Sequence, residues 1–140
     1  MTQNEMSMYL GRVRNLIRKE QKLRRHIEEL RYSLLPSGIR YDKDKVQTSP
    51  LDQMLETLSE IDHYERKRLK VVKALIDTRS IIARKLIILP QKEYYVLSQY
   101  YLGLKTMNEI SEDLGVTERH AFRIKNNGIS MLCKLEENNV

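Results

Sequence analysis

Tryptophan is absent from this 140-residue sequence, cysteine occurs once, and glycine and proline together account for only eight residues. So few helix breakers, combined with 31% charged residues, favour a helix-rich globular chain over a disordered one. The single cysteine, Cys133, excludes an intramolecular disulfide and a zinc site built on cysteines, and it fits a reducing compartment. Because Cys133 follows Met131 and Leu132, we expect it to be a small buried hydrophobe.

Long apolar runs are also missing. No segment approaches the ~18 apolar residues that suggest a membrane-spanning helix, and no apolar stretch precedes the first charges at the N-terminus. We therefore expect a protein of the cytoplasm that is neither secreted nor inserted in a membrane.

The charge is unevenly distributed along the chain. The formal charge is +6, which permits an acidic partner such as nucleic acid but also describes an ordinary solvated surface. Residues 90–140 hold six Lys or Arg against seven Asp or Glu, whereas residues 1–89 hold 19 against 12. The basic surplus therefore lies in the first segment, chiefly at Arg12, Arg14, Arg18, Lys19, Lys22, Arg24 and Arg25.

Heptad spacing dominates residues 1–89. Apolar side chains step by four and three along residues 5–35, which predicts one long helix ending at the Pro-Ser-Gly sequence of residues 36–38. A polar connector over residues 36–49 follows, and Ser49 and Pro50 can begin a second helix over 50–88. That helix would be roughly 57 Å long and must lie against the first helix or another copy. An intramolecular hairpin and a homo-oligomeric coiled coil both satisfy this pattern, so residues 1–89 are predicted to form a coiled-coil arm.

Residues 90–140 predict a second domain of three helices, over 91–102, 107–114 and 118–136, with breaks at Gly103 and Gly115. The fold class predicted for the whole chain is therefore all-α. In the last two helices, a turn at Gly115, a cap at Thr117 and a small residue at Ala121 are typical of a helix-turn-helix. The predicted core residues are Leu97, Tyr101, Ile110, Leu114, Val116, Ala121, Ile124, Ile129 and Leu132.

The outward side of the last helix carries side chains that can read DNA. Arginine can pair with guanine, asparagine with adenine and glutamate with cytosine, while a threonine and the first helix amides can bind phosphate. The candidate DNA-binding residues are Thr117, Glu118, Arg119, His120, Arg123, Asn126 and Asn127. Nearby acids, including Glu109, Glu112 and Asp113, belong to the preceding helix and are expected to lie away from the bases.

The stretch LGVTERHAFRIKNNGISML, residues 114–132, resembles region 4 of bacterial sigma-70-type factors, which reads the −35 promoter element. Two long helices around DKVQTSPLDQM, residues 44–54, make nearly the whole chain similar to phage regulators of the RinA and ArpU type. The resemblance implies a phage or prophage transcription regulator that activates late genes and contacts DNA through Thr117, Glu118, Arg119, His120 and Arg123. The heptad pattern allows a homo-oligomer, a dimer or tetramer, and the near-neutral charge of residues 90–140 indicates that multiple copies, the basic arm or a partner such as the host RNA polymerase assist DNA binding.

Two alternatives to a transcription regulator remain open. A small terminase subunit would combine the same motif with a ring of many copies to recognise DNA for packaging. A coiled-coil adaptor would bind only protein, and the three C-terminal helices would then be a plain bundle. An enzyme is not expected, because His26, His63 and His120 lie far apart and no metal, cofactor or nucleophile motif accompanies them.

Overall fold

The computed structural model describes residues 1–35 and 49–138, and every regular element within those ranges is helical. The all-α prediction is therefore confirmed for the described part, while residues 36–48 of the predicted connector, 36–49, lie outside it. The helices are α1 (Gln3–Leu10), α2 (Arg12–Ser33), α3 (Pro50–Leu86), α4 (Gln91–Leu97), α5 (Met107–Leu114) and α6 (Glu118–Asn138), and a π-helical turn, Ser98–Leu102, continues α4.

The first long helix is divided at Gly11, so the prediction of one helix over residues 5–35 was wrong at this point. Thr2 caps α1 by accepting a hydrogen bond from the Glu5 amide at 3.2 Å. Hydrogen bonding continues across the division, since the Gly11 amide donates to the Ser7 carbonyl at 3.0 Å and the Gly11 carbonyl accepts from Asn15 at 3.1 Å. The apolar steps alone could not show this local distortion, because they keep the same spacing on both sides of it.

Two compact units share the long helices. One consists of Ile17–Ala74, and the other combines Met1–Leu16 with Leu75–Val140. We call them the hairpin unit and the C-terminal unit. The domain boundary predicted at residues 89 and 90 stays a prediction, since it concerns which segments fold as independent domains.

Within the hairpin unit, the α2 and α3 segments run antiparallel. The low-numbered part of the α2 segment contacts the high-numbered part of the α3 segment through Arg68 Nε and Glu20 Oε1, 3.1 Å apart. Further along α2, Arg31 Nη2 lies 2.7 Å from Glu65 Oε1. Between these ion pairs the rings of His26 and Tyr64 meet edge to face at 4.6 Å. The buried apolar residues of this unit are Ile27, Ile61 and Val71.

Helix α6 is the centre of the C-terminal unit, where it packs against α1, α4 and α5. One side of α6 is buried through Ala121, Ile124, Gly128, Ile129, Leu132 and Cys133, which confirms the predicted burial of Cys133. The other helices contribute Met6 and Leu10 from α1, and Val96 and Leu97 from α4. The predicted core was correct where it named residues of α4 to α6, but it omitted Val96 and Met107, which are also buried.

The predicted break at Gly103 is confirmed, because the π-helical turn that continues α4 ends at Leu102. Gly103 keeps right-handed backbone angles, and the next residue, Leu104, takes the left-handed ones with φ 55°. The Lys105 amide then donates to the Gln99 carbonyl at 3.0 Å, which satisfies a carbonyl at the end of the π-helical turn.

Gly128 sets the distance between α4 and α6. A Cβ atom added there would lie 2.8 Å from Leu97 Cδ1, and the Leu97 side chain is fully buried. We expect Gly128→Ala to destabilise the protein by ~1–3 kcal/mol through overpacking, which exceeds the ~1 kcal/mol that alanine contributes in a helix. Urea unfolding of Gly128→Ala, Leu97→Val and the double variant measures this. The double variant should lose less stability than the two single changes added together, and strict additivity would contradict a contact at this position.

Candidate nucleic-acid interface

A three-residue turn joins α5 to α6 through a left-handed glycine. Gly115 has φ 68° and ψ 32°, its amide donates to the Glu112 carbonyl at 3.2 Å, and the Val116 amide donates to Ser111 at 3.0 Å. These two bonds form a Schellman motif, which satisfies carbonyls at the end of α5. The turn confirms the predicted break at Gly115.

Thr117 then begins α6. Its Oγ1 accepts a hydrogen bond from the His120 amide at 3.1 Å, and its carbonyl accepts from the Ala121 amide at 3.0 Å. Thr106 caps α5 in the same manner, with the Glu109 amide 3.2 Å from its Oγ1. The predicted cap at Thr117 is therefore present, and it fixes where the exposed face of α6 starts.

A compact apolar cluster lies beneath the turn. Ala121 and Ile124 of α6 pack with Val96 of α4 and with Met107 and Ile110 of α5. Leu114 and Val116 are partly buried against the same cluster, so both sides of the turn are held in place. Because Ala121 has no side chain beyond Cβ and is fully buried, the two helices can cross closely at this position.

All seven candidate DNA-binding residues lie on the exposed surface of the C-terminal unit. Arg119, Arg123 and Asn126 follow one another at helical steps of four and three, which places them in one stripe along α6. Among the described residues, neither Arg119 nor Arg123 forms an ion pair. Both guanidinium groups can therefore be offered to a ligand without first breaking a salt bridge. The full set is Thr117, Glu118, Arg119, His120, Arg123, Asn126 and Asn127.

A half-buried lysine next to this stripe was missed by the sequence analysis. Lys125 Nζ lies 4.4 Å from the centre of the Tyr100 ring and 5.8 Å from that of Phe122. The guanidinium of Arg14 lies over the same Tyr100 ring at 4.8 Å. Tyr101 is buried beside them and hydrogen-bonds to Ser7, and burial raises the pKa of its hydroxyl. These residues come from segments about a hundred residues apart in the chain, so they are brought together only by folding.

The acidic residues of α5 are exposed but not equivalent. Lys105 Nζ lies 2.9 Å from Asp113 Oδ2, and this hydrogen bond lowers the pKa of the Asp113 carboxyl and raises the pKa of the Lys105 ammonium. Tyr95 also donates to the same Asp113 oxygen, at 3.3 Å. Glu109 accepts a hydrogen bond from the Thr106 hydroxyl, at 3.2 Å. The charge of Asp113 is thus offset by a neighbouring cation, whereas the partner of Glu109 is a neutral hydroxyl.

The predicted basic residues of the arm are mostly solvent-exposed. Arg12, Arg18, Lys19, Lys22, Arg24 and Arg25 are exposed, whereas Arg14 is half-buried in its contact with Tyr100. Arg24 lies 3.7 Å from Glu20 in a weak surface ion pair. Arg12 and Arg14 belong to the C-terminal unit, and the others belong to the hairpin unit.

The described histidines are not gathered into a metal-binding group. His26 and His63 each meet the ring of Tyr64 edge to face, at 4.6 Å and 5.2 Å, and His120 lies apart from them on α6. Residues 1–35 and 49–138 contain no group of three histidine, cysteine or acidic side chains that could hold a metal ion. In the same ranges, no helix combines the length and apolar character that crossing a membrane requires.

Comparison with known proteins finds no matching family model, no similar curated protein and no similar solved structure.

Substitution of Gly115 directly tests the turn that positions α6. A Cβ at this position would meet nothing within 4 Å, so the only cost of Gly115→Ala is the left-handed backbone. We expect this variant to lose ~1–2 kcal/mol of stability in urea unfolding. Gly115→Asn is the matched control and should lose less, because asparagine visits this conformation more readily. Equal losses for the two variants would contradict a purely conformational origin.

Proposed function

We propose that the chain is a sequence-specific, double-stranded-DNA-binding transcription regulator of phage or prophage origin that activates late genes in the cytoplasm of a bacterial host. The observation that carries DNA binding is the exposed stripe of Arg119, Arg123 and Asn126 on a helix whose opposite side is fixed in the core. The phage origin and the activating role rest on the resemblance to RinA- and ArpU-type regulators. The proposal involves no catalytic residue, metal or cofactor.

In this mechanism α5, the turn and α6 act as a helix-turn-helix of the sigma-70 region 4 type. Helix α6 enters the major groove from its Glu118 end, and Thr117 with the first α6 amides holds a phosphate. Arg119 and Arg123 pair with guanine through their two-pronged guanidinium groups. The remaining contacts come from Glu118, His120, Asn126 and Asn127, of which the asparagines suit adenine and the glutamate suits cytosine.

Residues 90–140, which contain the proposed base-reading helix, cannot supply the whole affinity for DNA. Residues 90–140 carry one more acid than base, whereas neutralising phosphates provides most of the non-specific binding of DNA. We therefore assign the salt-sensitive contacts to the basic residues between Arg12 and Arg25 of a coiled-coil arm, residues 1–89, and to the presence of two or four copies. The same basic surface can approach the RNA polymerase of the host.

A genomic DNA pull-down with sequencing, combined with mass measurement of the free protein, tests the proposal. Enrichment of a promoter site by a dimer or tetramer is the expected result. Enrichment at a packaging site by a ring of many copies would instead favour a small terminase subunit. If no DNA is retained even at low salt, the chain is a protein-binding adaptor and the regulator proposal fails.

Arg123→Ala tests the reading role of α6. The Arg123 side chain forms no ion pair within the described ranges, so replacing it with alanine should abolish little besides its contact with a base. We expect the enriched site to be bound more weakly by ~1–3 kcal/mol, with relaxed preference at one base pair. Binding of a site library followed by sequencing measures both effects.

Lys134→Ala is the control for that experiment, because Lys134 is also an exposed cation of α6 but lies about three turns further along. Its base preferences should match those of the unchanged protein. If Arg123→Ala leaves the preference profile unchanged, Arg123 does not read a base.

Replacing Arg18, Lys22 and Arg25 with glutamine tests the contribution of α2. These three side chains are exposed, and their loss should lower affinity for all sequences and flatten the dependence on salt. Fluorescence anisotropy at several salt concentrations gives the slope. Three exposed cations of α3, Lys67, Lys70 and Arg84, provide a charge-matched control. Equal slopes for both triple variants would show that α2 does not contact DNA.

A further inference from the structure

Helix α3 carries two apolar stripes, and within residues 1–35 and 49–138 only one of them packs against another helix. The covered stripe includes the buried residues Ile61 and Val71, with Tyr64 and Arg68 in contact with α2. On the second stripe, five large apolar side chains are between 47% and 64% exposed, although they repeat at heptad spacing. They are Leu51, Leu55, Leu58, Leu69 and Ile76.

Exposed leucines at regular helical spacing differ from isolated surface residues. Side chains that step by three and four form a continuous seam along a helix, and such a seam is buried when another helix packs against it. Val72 is half-buried and continues the second stripe between Leu69 and Ile76. The stripe therefore consists of two apolar clusters, residues 51–58 and residues 69–76.

The two clusters mirror each other in their spacing. The first steps by four and then three, and the second by three and then four, so reading α3 backwards reproduces the pattern. A second copy laid antiparallel on this stripe would place every apolar side chain against another one. The resulting layers join Leu51 to Ile76, Leu55 to Val72 and Leu58 to Leu69 of the second copy.

Two acids separate the clusters and lie at the centre of this arrangement. Asp62 has its own cation, since Arg66 Nε lies 3.1 Å from its carboxylate. Glu65 is paired with Arg31 at 2.7 Å and with Arg68 at 3.7 Å. Because each acid is balanced within its own chain, the two copies can meet here without unpaired like charges. A polar layer of this kind also fixes the register, since any shift would place an acid against leucines.

The charges flanking the stripe favour the antiparallel direction. Asp52 and Lys73 are three heptads apart, so they occupy the same edge of the stripe, and antiparallel pairing sets each Asp52 against Lys73 of the other copy. Parallel pairing would instead leave Asp52 and Lys73 of the two copies about 31 Å apart, because 21 residues separate them along the helix. Only the antiparallel arrangement joins these opposite charges.

We propose that a second copy of this chain covers the exposed stripe of α3, from Leu51 to Ile76, in an antiparallel pair centred between Asp62 and Glu65. The inference specifies the oligomer of the proposed function and rests on it for its biological role. The pairing itself requires no DNA, because it depends only on residues of α3.

Leu69→Glu tests whether the stripe holds the copies together. The unchanged full-length chain should have at least twice the 16.7 kDa mass of one copy in light scattering, and Leu69→Glu should reduce that mass by half. Ile81→Glu is the matched control, because Ile81 is 47% exposed on the same helix but lies about 120° around it from Leu69. Both variants should keep the circular dichroism of the unchanged protein, since both positions are exposed. A single-copy mass for the unchanged chain, or the same mass for both variants, would overturn the proposal.

Cysteine crosslinking determines the direction of the pair. In a Cys133→Ser background, a mixture of Leu55→Cys and Val72→Cys chains should form a disulfide between unlike copies under mild oxidation, because these positions face each other in the antiparallel pair. Each variant alone should remain largely uncrosslinked. Crosslinking of Leu55→Cys alone, with none in the mixture, would show a parallel pair and contradict the proposed register.

The two proposals can fail separately in these measurements. A monomeric chain that still selects a promoter site would refute the α3 pair and leave DNA binding intact. An antiparallel dimer that retains no DNA at low salt would support the pair and refute the regulator. Measuring mass and crosslinks without DNA keeps these outcomes distinct.

Discussion

The close packing of one side of α6 is the constraint on which the rest of the C-terminal unit depends. Ala121 is a small residue in the cluster shared with α4 and α5, Gly128 is a small residue against Leu97 of α4, and Ile124 and Leu132 lie between and beyond them. Once that side of α6 is packed, the geometry of the helix determines which of its residues face outward. The stripe of Arg119, Arg123 and Asn126 is therefore set by buried residues that themselves never touch the solvent.

The turn before α6 could be predicted almost residue by residue, and the reason is local. A glycine with positive φ, a threonine cap and an apolar residue between them determine their own hydrogen bonds within about six residues. The division of the first helix at Gly11 and the left-handed Leu104 could not be predicted in the same way. Apolar spacing is unchanged across Gly11, and the reversal at Leu104 depends on a π-helical turn that has no clear sequence signature.

Contacts between distant segments account for what the sequence analysis left out of the candidate site. Tyr101 was predicted as a core residue, and it is buried. Tyr100 instead lies between two cations, Arg14 and Lys125, that are 111 positions apart in the chain. Periodicity describes one helix at a time, so it could not show that an aromatic ring on one segment would orient a lysine beside the α6 stripe.

The long helix α3 shows why apolar spacing left both a hairpin and an oligomer open. A helix that pairs only within its chain needs a single apolar stripe, but α3 has one stripe against α2 and another exposed to solvent. Both stripes contribute to the same heptad pattern, and a one-dimensional pattern cannot separate them. Two faces of α3 about 100° apart can each pack against another helix. A hairpin within one chain and a pair between two copies can therefore form on α3 at the same time. For the DNA-binding function proposed above, such a pair would also offset the near-neutral charge of the C-terminal segment, because two linked weak binding sites hold one DNA far more tightly than either site alone.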